Sequence, residues 1–114
     1  MKEFMMIFRS ASNIQAQLSP EQMQANIKQW QDWIAGIAAQ GKFVGTNRLG
    51  TEGKTLKPNN VVTDGPYAEV KEIVGGYLIA KGESMEEVLK MAKGCPILNS
   101  GGSIEIRDVI TMKM

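Results

Sequence analysis

Two carboxylates and a phenol fall close together in the run Asp64-Gly65-Pro66-Tyr67-Ala68-Glu69. A carboxylate held at the mouth of a pocket can take or give a proton, and a neighbouring phenol or second carboxylate can orient what it acts on. Asp64 is therefore the candidate catalytic acid or base, with Tyr67 and Glu69 beside it and Gly65 and Pro66 shaping its loop. The same residues also have a purely structural account. Asp accepts backbone N–H bonds in an Asx turn, Gly supplies whatever φ the turn needs, and Pro directs the chain into the next element. The two readings are compatible, because a rigid turn is a good mount for a reactive group.

Arg9, Arg48, Trp30 and Tyr77 are the other candidate ligand-binding residues. A guanidinium facing an enclosed space needs an anionic partner, so either arginine could hold an anion. The plainer expectation is that they are solvated or paired with Glu105 or Asp108. Trp30 and its neighbour Trp33 serve more often as core than as a ligand platform. Ser100-Gly101-Gly102 reads as a plain turn. Cys95 precedes Pro96 at the end of a helix, where the dipole raises a thiol's pKa, so it is not expected to act as a nucleophile.

What is missing narrows the chemistry further. The chain has no histidine and a single cysteine. That excludes a histidine base, a histidine-ligated metal, an internal disulfide and a multi-cysteine metal site. Carboxylates and carbonyls alone would suit Mg²⁺ or Ca²⁺, but no EF-hand or paired-acid spacing occurs, so neither metal nor cofactor is expected. Thirteen basic against twelve acidic residues give a net charge of +1, which leaves no electrostatic footprint for nucleic acid or an anionic membrane. No apolar stretch approaches the length of a membrane span or a signal peptide, and a lone thiol suits a reducing cytoplasm. The chain reads as a cytoplasmic protein.

The elements that must position these residues follow from periodicity. Its 114 residues, 43% hydrophobic and 22% charged, make one globular domain over residues 1–114 with enough mass for a real core. In residues 3–9, Phe4, Met6 and Phe8 alternate with Met5, Ile7 and Arg9, which is a central strand apolar on both faces. Ser19-Pro20-Glu21-Gln22 is a capping box with proline at the first helical position, and Leu18 could staple onto Met23. Met23, Ile27, Trp30, Ile34 and Ile37 then recur at helical spacing until Gly41, which predicts a helix over 19–40. Strands are expected at 42–49, 73–81 and 103–112, with a hairpin or loop over 50–60 and a short extended piece at 61–63. Gly75-Gly76 inside the third of these strands predicts a bulge or a close backbone approach. Ser84 with Glu87 forms a second capping box for a helix over 84–93, with Val88, Leu89 and Ala92 inward. This order fits an α+β, ferredoxin-like antiparallel sheet with two helices on one face. Two helices cover one face only, so a second copy of the chain is expected on the other, as a homodimer burying upwards of about 2,000 Å².

The run from Val62 to Glu72, followed by Gly75-Gly76-Tyr77, resembles the signature of the DGPF family within the wider YCII-related group, with Tyr67 where Phe is usual. Leu18-Ser19-Pro20-Glu21, Gly45 to Leu49, and Gly101 to Arg107 agree with it as well, so the resemblance spans nearly the whole chain. It implies a dimeric α+β barrel in which two ferredoxin-like sheets face each other. The YCII branch is associated with an enzymatic site built on a His-Asp pair, and a chain without histidine cannot carry that pair. Three classes of function stay open: an enzyme acting on a small molecule through Asp64 or Glu69 with Tyr67, a non-catalytic ligand-binding or regulatory module, and an interaction subunit. A pocket with convergent polar groups near Asp64 would disfavour the last.

Overall fold

In the computed structural model, residues 1–11, 19–50, 52–64 and 72–112 are described. Strand β1 (Lys2–Ala11) leads to helix α1 (Pro20–Ala39), then β2 (Phe43–Arg48), β3 (Lys54–Lys57), β4 (Val61–Asp64), β5 (Glu72–Gly82), helix α2 (Met85–Ala92) and β6 (Ser103–Asp108). Four strands form one sheet in the order β2-β5-β1-β6, and each pairing is antiparallel. This is the ferredoxin-like α+β order, with the separate two-stranded hairpin β3–β4 inserted between β2 and β5.

The caps explain where the helices lie. Ser19 Oγ accepts from the Gln22 N–H at 3.1 Å while Gln22 Oε1 accepts from the Ser19 N–H at 2.9 Å, so the capping box is complete. The staple partner Leu18 lies outside the described residues. At the far end Gly41 takes a left-handed φ of +71°, a conformation that costs other residues, and α1 stops there. The second capping box is half formed. Ser84 Oγ accepts from the Glu87 N–H at 3.2 Å, but the Glu87 carboxylate reaches one residue further back to the Glu83 N–H and also takes Lys42 Nζ. That ion pair ties the start of α2 to the residue before β2, and the Lys42 bond holds the Glu87 carboxyl below its ordinary pKa.

Phe4, Met6 and Phe8 of β1 and Leu78 and Ala80 of β5 are buried against Ile37 of α1 and Val88 and Ala92 of α2, so both helices cover the same face. The expected bulge is present. Phe8 pairs with Gly76 but Arg9 pairs with Val74, which leaves Gly75 as the extra residue. The close approach is present as well, since a Cβ on Gly76 would lie 2.8 Å from the Asn47 carbonyl oxygen.

Two expectations need correction. Leu89 is 49% exposed, because the short α2 turns only Val88 and Ala92 fully onto the sheet. The final strand ends at Asp108, and Ile110 and Met112 beyond it are each 77% exposed. The segment after α2 contains a 3-10 turn, Pro96–Ser100, closed by Gly101 at φ +82°.

Candidate functional site

The longest unsupported reach in the fold belongs to α1. Twenty residues give it about 30 Å, while α2 with eight residues is under half that. Its C-terminal half seats Ile37 in the core, but in its N-terminal half Met23 and Ile27 are 42% and 50% exposed. The apolar stripe continues there without sheet side chains to meet it. Beneath it, β5 carries Gly75 and Gly76 at two consecutive positions, so the sheet wall is bare backbone. The mismatch leaves a cavity of about 440 Å³ between α1 and the sheet, within the ordinary range for a small-molecule site.

Its walls divide by chemistry. Phe8, Met23, Ile27, Trp30, Ile34 and Ile97 are apolar, while Thr46 and Arg48 of β2 bring polar side chains along one side and Asn47 between them turns its amide to the open face. Ser10, Asn26 and Gln31 complete the polar set. Trp30 and Phe8 meet edge to face, with ring centroids 5.1 Å apart and planes at 83°. Trp33 packs against both, at 5.7 Å from Trp30 and 6.1 Å from Phe8. Trp33 Nε1 donates to the Met91 carbonyl at 3.0 Å, which fixes the cluster from behind. The Thr46 hydroxyl donates to the Tyr77 carbonyl at 2.7 Å, which holds the polar side against β5, while Asn47 Nδ2 donates to the Tyr77 hydroxyl at 2.9 Å on the open face. Among the described lining residues, Arg48 carries the one formal charge and no carboxylate is present.

The residues singled out from the sequence do not converge. Trp30 and Arg48 border the cavity. Arg9 lies on the opposite, open face of the sheet and pairs with Glu105 at 3.3 Å, the plainer of its two expected fates. Tyr77 shares that face, directly across from Ile7. Asp64 is the last residue of β4 and pairs with Lys54 across the hairpin. Gly65, Pro66, Tyr67 and Glu69 lie outside the described residues. The cavity is on the helix side of the sheet, between α1 and the Gly75-Gly76 stretch, whereas the sequence pointed to a pocket at the Asp64 loop. Met23, Ile27 and Gly75 were missed as lining residues. The signal for them was an apolar helical stripe set against a strand whose Gly75-Gly76 pair has no side chains to meet it. Cys95 is buried, and burial pushes its thiol up to about 12, so it is no nucleophile near neutral pH.

Comparison with known proteins agrees with this architecture. The family model of the YCII-related domain matches residues 4–113. An uncharacterized protein, R00369, of Rhizobium meliloti (strain 1021) is 33% identical over 88 residues, covering 67% of this chain and 71% of that protein. Among solved structures, the 5-chloro-2-hydroxyhydroquinone dehydrochlorinase of Burkholderia phenoliruptrix AC1100, in complex with 2,5-dihydroxybenzoquinone, superposes with a TM-score of 0.55. That match covers 92% of this chain and 90% of the other at 15% identity, a likeness of fold.

Proposed function

The chain belongs to the YCII-related domain family, and from that premise we propose that it binds a small, flat, ring-bearing molecule in the cavity between α1 and the sheet. The observation that carries this reading is the division of the cavity's walls. Edge-to-face Phe8 and Trp30 offer apolar surface to a ring, while Thr46 and Arg48 along one side offer partners to ring oxygens. The quinone bound by the dehydrochlorinase of similar fold is a molecule of this shape.

For chemistry on such a ligand, Asp64 is the proposed acid or base. Its carboxylate would accept a proton from a ring hydroxyl, with Tyr67 and Glu69, three and five residues on in sequence, to orient the ligand. The second reading, a binding module without catalysis, is favoured by one specific observation: the described lining holds no carboxylate, and the chain holds no histidine. Calorimetric titration with 2,5-dihydroxybenzoquinone tests the shared part. Saturable binding is expected, weakened about tenfold by Trp30→Leu through loss of the aromatic contact. No saturable heat from the wild type would overturn the reading. Product analysis with hydroquinones then separates the two: turnover abolished by Asp64→Asn with binding retained favours the enzyme, and no turnover by the wild type favours the module.

The open face of the sheet supports a homodimer as the working form. Met5 and Ile7 of β1 and Tyr77 and Ile79 of β5 stand side by side there, half-buried, on the face that neither α1 nor α2 covers. Sedimentation velocity at micromolar concentration should give a dimer for the wild type and a folded monomer for Ile7→Lys. A wild type that sediments as a monomer would sink the proposal.

A further inference from the structure

We propose that Gly75 is a specificity-determining residue, which keeps peptide backbone bare on the sheet wall of the cavity so that a flat ring can lie against it. The inference rests on the cavity being a ligand site. It is carried by a contrast between two adjacent glycines. Gly76 has a structural reason to lack a side chain, since a Cβ there would meet the Asn47 carbonyl oxygen at 2.8 Å and Arg48 Cα at 3.4 Å. Gly75 has none. Its φ is not positive, and a Cβ built on it finds no atom within 4 Å. Glycine in a strand interior carries the largest backbone entropy loss of any residue and leaves nothing to pack, so the fold alone would favour a side chain at this position.

Gly75 is also the residue that the β1–β5 bulge sets out of register, and its carbonyl is anchored by the Leu49 N–H at 2.9 Å. Bulges re-aim the chain locally, and here the re-aimed residue borders the cavity. A side chain at 75 would therefore enter unoccupied space beside the site rather than strain the sheet. The ligand class that follows is a planar ring free of bulky out-of-plane groups on the side that meets the sheet.

The test is a set of calorimetric titrations with 2,5-dihydroxybenzoquinone, paired with thermal melts, on the wild type, Gly75→Ala, Gly75→Val and Gly76→Ala. Gly76→Ala should melt lower than the wild type. Gly75→Ala and Gly75→Val should melt at or above it, and Gly75→Val should bind the quinone at least about tenfold more weakly. Melting of Gly75→Ala as low as that of Gly76→Ala would overturn the inference by showing a structural glycine. Binding by Gly75→Val within about twofold of the wild type would overturn it while leaving the cavity as a ligand site. A wild type that does not bind the quinone would overturn the functional reading and this inference together.

Discussion

On the helix side of β1, Phe4, Met6 and Phe8 are 3%, 0% and 4% exposed; one residue along, on the other side, Met5, Ile7 and Arg9 all keep contact with solvent. β5 repeats the pattern, with Leu78 and Ala80 sealed against the helices and Tyr77 and Ile79 half-buried. The two faces share strands and carry similar side chains, so residue type does not set their fates. The cover does. α1 and α2 both pack on one face, and a strand apolar on both sides needs something on each. The pattern therefore encodes two burials, one completed within the chain and one for which a second copy of the chain is the proposed cover.

The sharpest way to break this comparison is to truncate adjacent residues that point to opposite faces. Leu78→Ala removes a side chain that is fully buried and should cost about 3–5 kcal/mol in urea melts, whatever the protein concentration. Ile79→Ala should cost under about 1 kcal/mol in dilute protein, where the open face meets water, and more as concentration rises into the dimer range. Equal and concentration-independent losses at both positions would show that the chain itself covers both faces.

The same contrast shows what a sequence can and cannot reveal. Features fixed by neighbours along the chain were legible. The Ser19–Gln22 box, the Gly41 stop and the Gly75–Gly76 irregularity each depend on backbone within a few residues, and each is where its local chemistry puts it. The order of strands and helices was legible too, because periodicity survives without tertiary context. The cavity was not. Met23 and Ile27 sit in a stripe indistinguishable from core spacing, and only the placement of α1 over a glycine floor makes them lining instead. The β3–β4 hairpin was legible in outline, as a hairpin or loop over 50–60 beside an extended piece at 61–63, but nothing in Lys54-Thr55-Leu56-Lys57 alternates cleanly enough to set its register with Val61-Val62-Thr63-Asp64. Nor does residue type reveal that Arg9 and Arg48, each at or near the end of a strand, end on opposite faces of the sheet.

Cysteine chemistry sharpens the comparison at intermediate scale. Cys95 lies on the closed side, 2% exposed, and burial raises its thiol from 9.0 to about 12. A neutral thiol is thus favoured in the folded protein. The stability this contributes is present below about pH 9, where the unfolded thiol is also protonated, and is lost as pH rises through 9 toward 12. At pH 8 the folded protein should leave iodoacetamide essentially unreacted, with full labelling in denaturant. Ile79→Cys places a second thiol on the open face. That thiol should label readily in dilute protein and become protected at concentrations that favour the dimer. Rapid native labelling of Cys95 would contradict a closed helix side.

The smallest expected effect on the free protomer is also the most discriminating, because it changes with the state of the open face. Arg9 Nη2 and Glu105 Oε1 are 3.3 Å apart, with side chains 35% and 40% exposed, and Glu105 Oε2 accepts from Arg107 Nη1 at 3.4 Å. In the free protomer these charges sit in high dielectric, where an ion pair contributes under about 1 kcal/mol and is weakened by salt. Glu105→Gln keeps the shape and removes the charge, so dilute protein should lose no more than that in a urea melt. If a second copy covers this face, Arg9 is taken out of water, and removing its partner leaves a cation that must be desolvated alone. Losses of that kind run to about 3–5 kcal/mol, and salt screens buried charges less. Glu105→Gln should therefore weaken dimerisation more than it weakens the fold. A loss that is small and unchanged across protein concentration would keep the Arg9–Glu105 pair in water in both states, and would move the interface off this face.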